Sequence, residues 1–341
     1  MYFHRSLIVL SAVLAFVSAA HFLDEEWTLW KTKHGKKYVS EMDEDFRREA
    51  WNNNWLKVQK HNALASQGLK NYTMAMNQFA DMTPNEMRSQ NCLSCSGQNI
   101  PRAVTEPKVT IAQEADNCPN GICETVSEIP KFVDWRESKC VTPVKSQGIC
   151  GSCWAFCTVS VLESRYCIKH NKQVIFSEQQ FVDCDYGNGG CCGGMPDRAF
   201  SYAFHHRIME SKDYEYNEGR SLCLFRQSDA VKLNMSKYYT LPGEDNIAKS
   251  VAMDGPVTFA FGVHDDFFLY SGGIYDGECS AHINHGMTII GYGSSCGTDY
   301  WIIRNSWGKG WGEEGYAKIK RNVNMCFIGD YASTADIPSP E

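Results

Sequence analysis

Between residues 24 and 61, apolar side chains at Trp27, Trp30, Tyr38, Phe46, Trp51, Trp55 and Val58 punctuate a charged background at roughly helical spacing. This predicts a small helical unit near the amino terminus. From Cys92 to Glu128 no period is sustained, and Gly97, Pro101, Pro107, Pro119 and Gly121 break regular structure, so the stretch reads as a linker. After Pro130 glycine, aromatic and β-branched residues take over. There Ser152 to Ile168 has few breakers and predicts a helix, while Val257–Val263, Met287–Tyr292 and Tyr300–Arg304 are strand-like runs set between glycines. Helix first and strands later predicts an α+β unit of two lobes. No internal repeat or low-complexity tract interrupts it.

Length and composition sharpen this division. A chain of 341 residues accommodates one domain plus an accessory segment, and 43% hydrophobic with 12% aromatic residues is ample for a packed core. A net charge of −7 without a run of Lys or Arg gives no reason to expect nucleic acid or an anionic membrane as partner. His4 and Arg5 precede an apolar run from Leu7 to Val17 and the small residues Ser18-Ala19-Ala20, the pattern of a secretory signal; the run is too short for a comfortable membrane span. The 16 cysteines fit an oxidising compartment.

Chemistry concentrates in Gln147-Gly148-Ile149-Cys150-Gly151-Ser152-Cys153-Trp154-Ala155-Phe156. A cysteine opening a helix sits where unsatisfied N–H groups favour negative charge, so Cys153 is predicted to ionise readily and act as a nucleophile. It then needs an imidazole to share its proton; the candidate is His285 in His282-Ile283-Asn284-His285-Gly286, just ahead of a strand. Asn305, in Asn305-Ser306-Trp307-Gly308, can hold that ring in one tautomer through its amide oxygen. Other readings remain. Cys150 and Cys153 have the spacing of a redox dithiol, His282 stands close to His285, Asn305 could be a turn residue, and Cys92 with Cys95 could begin a zinc site.

These residues, separated by 132 and 152 positions from Cys153 to His285 and Asn305, resemble the papain family of cysteine peptidases and, in pattern, its cathepsin L group. The resemblance implies a papain-like fold, a helical lobe plus a β-barrel-like lobe, and a cysteine endopeptidase that uses no cofactor or metal. It implies that Gln147 joins the backbone N–H of Cys153 in an oxyanion hole and that Trp307 covers the His285–Asn305 hydrogen bond. It carries over the disulfides Cys150–Cys191, Cys184–Cys223 and Cys279–Cys326. Gly193 and Gly194 would let an extended substrate lie close, and Asn284 would flank it. Met195, Pro196, Ala260, Ile283 and Tyr331 would form an apolar pocket for the second residue before the cut, with Tyr331 at its floor. Nine cysteines then remain outside the family pattern: Cys92, Cys95, Cys118, Cys123, Cys140, Cys157, Cys167, Cys192 and Cys296. Cys157 and Cys192 are expected to be small buried thiols.

Upstream, Asp43, Arg47, Trp51, Asn54, Val58 and Asn62 recur at spacings of 4, 4, 3, 4 and 4, along one side of a helix. This stripe and Ala75-Met76-Asn77-Gln78-Phe79-Ala80-Asp81 resemble the two motifs of the family's inhibitory prosegments, with Asp43, Trp51, Val58 and Ala75 as departures. The expected organisation is therefore a signal peptide over 1–20, a prosegment over 21–128 (helical 24–85, linker 86–128) and a peptidase over 129–341. The partners implied are protein and peptide substrates, the chain's own prosegment and cystatin-like inhibitors, with a monomer acting in the lysosome or outside the cell. Autocatalytic cleavage is expected between Thr125 and Lys131 at low pH. Sequons at Asn71 and Asn234 are candidate glycan sites. Two rivals accompany this reading: an aminopeptidase of cathepsin H type, with a linker remnant tethered through Cys118 or Cys123, and a catalytically silent inhibitor-like homologue. His205-His206 lacks the long insertion of an occluding loop and is expected to end a helix.

Overall fold

The computed structural model describes residues 22–89 and 129–340. At its centre is a helix, α4 (Cys153–His170), with 14 of its residues buried. Free of Gly and Pro, it is apolar or internally bonded on every side, as expected of a helix enclosed by its own domain. It stops at Asn171, whose left-handed φ of 50° cannot continue the spiral. Around it α5 (Glu178–Cys184) and α6 (Pro196–His205) complete the helical lobe, and His206 is the C-cap of α6. Phe176, Phe181, Phe200 and Leu233 fill that lobe's core. Two buried carboxylates on this side, Glu163 and Glu178, share one cation, Lys145 Nζ, at 2.7 and 2.6 Å. Burial pushes Glu178 above the ordinary carboxylate range; it opposes the charge of Lys145 as well, but the two carboxylates outweigh it and hold the ammonium above its usual value.

The second lobe is built on one nine-stranded sheet. Its members are β1 (Tyr72–Met74), β2 (Val133–Asp134), β5 (Lys237–Thr240), β6 (Val257–Phe261), β7 (Tyr270–Tyr275), β8 (His285–Ser295), β9 (Thr298–Arg304), β10 (Tyr316–Lys320) and β11 (Ala332–Asp336). They run in the order β1-β7-β10-β9-β8-β6-β11-β5, with β2 on β8. The path has two free ends, so the expected barrel-like lobe is an open sheet. All pairs are antiparallel except β7 with β10. A two-stranded sheet, β3 (Ile208–Met209) with β4 (Ala230–Val231), stands apart from it.

The amino-terminal unit departs from the expectation of helix throughout 24–85. A first helix, α1, spans 22–34 and a second, α2 (Glu41–Ser66), starts at Ser40, whose hydroxyl accepts from the N–H of Asp43. Trp27, Trp30 and Trp51 lock the two together, with ring centroids 5.4 to 6.4 Å apart. The chain then turns extended. Asn54 Nδ2 donates to Ala80 O and Met82 O, and Asn62 exchanges hydrogen bonds with the backbone of Met74. Polar residues thus belong in the helical stripe because they satisfy the extended segment that follows. Arg47 Nη1 reaches Glu86 at 2.8 Å, fixing the short α3 (Pro84–Ser89). Strand β1 pairs with β7 in the register Tyr72↔Gly273 and Thr73↔Gly272.

Four disulfides join described residues. Cys150–Cys191, Cys184–Cys223 and Cys279–Cys326 appear in the structure, with Cα separations of 4.6, 4.9 and 5.1 Å. The fourth, Cys140–Cys167, ties the entry of the helical lobe to the end of α4 and was not singled out by the sequence. Cys92, Cys95, Cys118 and Cys123 lie outside the described residues, as do the signal segment and most of the expected activation site. Among the described residues no helix is long and apolar enough to cross a membrane.

Candidate active site

Cys153 is the first residue of α4 and 1% exposed. Its N-cap, Ser152, makes no side-chain capping bond; the hydroxyl is 2.7 Å from Tyr216 Oη instead. The amino end of α4 is therefore left with uncapped N–H groups and their partial positive charge directed at the cysteine. From the other lobe, the N–H of Gly286 donates to Cys153 Sγ at 3.2 Å. Neither Cys153 nor Cys192 is among the free cysteines of the described residues, and the thiolate that the chemistry needs is that of reduced Cys153. Cys192 is accordingly not the buried thiol expected. Cys157 is: its Sγ–H donates to Trp154 O at 3.3 Å, and burial pushes it up to about 12. Cys296 is an exposed free thiol.

His285, the first residue of β8, is 3% exposed. Its Nε2 lies 2.8 Å from Asn305 Oδ1, the same oxygen that accepts from the N–H of Ser306 at 2.8 Å. An atom facing two N–H groups is the acceptor, which fixes both the amide orientation and the ring tautomer: the proton is on Nε2 and the lone pair on Nδ1. Nδ1 is buried, with no hydrogen-bond partner. Burial, only partly offset by the bond to Asn305, pushes the imidazole down to about 4. The Trp307 ring stacks on His285 with centroids 4.6 Å apart, shielding that bond from water.

Gln147 is 2% exposed and held at both ends of its amide. Nε2 donates to Cys150 O at 3.0 Å, and Oε1 accepts from Ser306 Oγ at 2.7 Å. Ser306 therefore orients Gln147 and Asn305 together. Sequence reasoning missed this role although Ser306 lay inside a motif already singled out; Tyr216, which also donates to Gln147 O at 2.8 Å, carried no local signal.

Gly194, Met195, Pro196, Ala260, Ile283 and Asn284 line one pocket with Cys153, His285 and Gly286. The lining joins α6 of the helical lobe to β6 and β8 of the other. Gly193 adjoins this set with a φ of 103°, and Asn284 is fixed by exchanging hydrogen bonds with the backbone of Val263. Tyr331 is 48% exposed and is not among the lining residues, and its carbonyl accepts from the N–H of the lining residue Ala260. Among the described residues no group of His, Cys, Asp and Glu is arranged to hold a metal ion.

A cysteine at a helix start in one lobe, an amide-held imidazole in the other and a docked helical unit beside them define a cysteine peptidase in precursor form. Residues 129–335 match the papain family cysteine protease domain, residues 27–87 match the cathepsin propeptide inhibitor domain (I29), and the chain belongs to that family. It is 37% identical to cathepsin S of Bos taurus over 97% of this chain and 98% of the relative, and 37% identical to procathepsin L of Rattus norvegicus over 96% of each. Among solved structures, the digestive procathepsin L2 proteinase of Tenebrio molitor superposes with a TM-score of 0.83 at 36% identity, covering 92% of this chain and 100% of that one. This is a cathepsin-type cysteine endopeptidase made as a zymogen with an inhibitory propeptide.

Proposed function

We propose that Cys153, once reduced, is the nucleophile of this endopeptidase and His285 its proton carrier. The observation that carries this reading is the bond from His285 Nε2 to Asn305 Oδ1, which leaves Nδ1 with its lone pair on a residue that shares one pocket with Cys153. Nδ1 takes the thiol proton, Sγ attacks the peptide carbonyl, and the oxyanion is met by the backbone N–H of Cys153 and an N–H of Gln147. One such donor contributes about 2.7 to 4 kcal/mol. His285 then passes the proton to the leaving amine, and a water molecule, deprotonated by the same nitrogen, releases the acyl group and restores the thiol.

The apolar lining of Met195, Pro196, Ala260 and Ile283 supports a preference for Leu or Phe at the second residue before the cut. The prosegment, residues 21–128 after a signal over 1–20, is removed at low pH to leave a peptidase from residue 129. It acts as a monomer in the lysosome or outside the cell, and cystatin-like inhibitors are its natural antagonists. Cys153→Ala is expected to lower kcat/KM at least about 10⁴-fold in reduced, processed enzyme. Retained activity, or faster cleavage of an Arg than of a Leu or Phe peptide series, overturns the assignment of nucleophile or pocket respectively.

A further inference from the structure

Strand β1 leaves more behind than a blocked cleft when the prosegment departs. It is the terminal strand of the sheet, and it covers the outer edge of β7. The N–H of Ile274 donates to Asn71 O at 2.8 Å, and Leu269 O accepts from the N–H of Ala75 at 2.8 Å. A sheet edge that loses such partners is a template for another extended chain.

This edge also has a side-chain slot. Tyr72 is 2% exposed, with its ring 4.8 Å from Tyr275 and its hydroxyl donating to Asp266 Oδ2 at 3.3 Å. Two glycines make the fit. Gly273 has a φ of +84°, and a Cβ there would stand 2.4 Å from Asn71 O; one at Gly277 would stand 2.7 Å from the Tyr72 hydroxyl. The rim is acidic, formed by Asp266, Asp276 and Glu278, and the prosegment answers it with donors: Lys57 pairs with Asp266, and Asn71 Nδ2 donates to Asp276 at 2.6 Å. From the peptidase side His264 faces Asp266 and Glu278, at 3.9 and 3.5 Å. Downstream of Tyr72, Gln78 Nε2 donates to Trp307 O at 2.8 Å and Phe79 packs on the Trp307 ring. A chain seated in the slot therefore has its following residues delivered to the residue that stacks on His285.

We propose that the mature peptidase reuses this vacated edge as a second binding site, where an extended, tyrosine-bearing and cation-flanked segment of a protein substrate adds to β7 beside the catalytic pocket. The inference rests on the reading of residues 22–89 as a removable prosegment. Its partner chemistry is that of the segment it displaces: backbone pairing for affinity, a tyrosine ring and hydroxyl for the slot, and Lys or Asn donors for the carboxylate rim.

The test uses enzyme matured from the full chain. With Cys153 alkylated to close the active site, a labelled peptide of residues 68–77 is titrated by fluorescence anisotropy beside the same peptide carrying Tyr72→Ala. The first should bind and the second at least tenfold more weakly. In unblocked enzyme the peptide should raise KM for an unfolded protein substrate at least threefold and leave kcat/KM for a short fluorogenic peptide unchanged. Enzyme carrying Asp266→Asn and Asp276→Asn should show the same selective loss without added peptide. Equal inhibition of both substrates, equal binding of both peptides, or an unchanged protein KM in the double variant overturns the proposal. Failure of matured enzyme to cleave the short peptide would instead overturn the peptidase reading itself.

Discussion

The two lobes are held together by different means. The helical lobe contains three of the four described disulfides and an apolar core around α4 that includes no residue of the amino-terminal unit. The β lobe contains one, and its core is continuous with the prosegment: Trp27, Trp30, Trp51, Tyr72 and Met74 belong to the same cluster as Phe267, Tyr275 and Trp311. The nucleophile thus rides on the covalently fixed half, while its base rides on the half that shares a core with its own inhibitor. Among the described residues, removing the inhibitor costs the β lobe buried surface and takes no member from the core of the helical lobe.

The largest effect should come from cutting the shared core. Tyr72→Ala in the full chain is expected to destabilise it by about 3 to 5 kcal/mol, as for other fully buried aromatic truncations. Hydrogen exchange should speed up at the Ile274 amide and stay unchanged in α4; equal loosening of both would break the contrast. On the other side, Cys140→Ser with Cys167→Ser should cost about 2 to 4 kcal/mol. That loss should appear as a lower unfolding midpoint, with faster exchange in the helical lobe and no change in β7.

Acid should strain the β lobe and the prosegment in separate windows. The pKa of His285 is depressed to about 4 from an ordinary 6.5, so the folded state refuses a proton that the unfolded state accepts. Stability present above pH 6.5 is therefore lost as pH falls towards 4, by on the order of 3 kcal/mol, and His285→Gln should remove that slope from urea midpoints. Glu86 responds lower down. Burial opposes its charge, but bonds from the N–H and hydroxyl of Thr83 together with Arg47 hold it below its ordinary 4.5, so its contribution is present above that pH and disappears on further acidification. The smallest effect is expected of Lys57→Met. Its half-exposed pair with Asp266 should contribute less than about 1 kcal/mol, and the difference from the parent chain should shrink in high salt.

Much of the site was legible in the sequence because its chemistry demands particular atoms at particular places. Cys153 had to begin a helix, and His285 and Asn305 stood in short, distinctive settings of glycine and tryptophan. The strands around them were legible too, since Val257–Phe261 is nearly unbroken and Tyr300–Ile303 wholly apolar or aromatic. What escaped depends on long-range partners. The Cys140–Cys167 bridge is one pairing among many that spacing alone allows. Strand β1 has three residues and exists because β7 offers an edge about 200 positions later. Tyr331 was assigned by resemblance, and no local pattern foretold its 48% exposure.

The order of β1 and β7 along the chain has a consequence for biosynthesis. A ribosome emits residues 72–74 long before residues 270–275. The cover is made before the edge it protects, so the growing chain need never display that edge uncapped to its neighbours, where unpaired strands invite aggregation. By the time the cover is discarded the protein is complete, and what it then reveals is short, interrupted by Gly272 and Gly273 and bordered by carboxylates that repel a second copy.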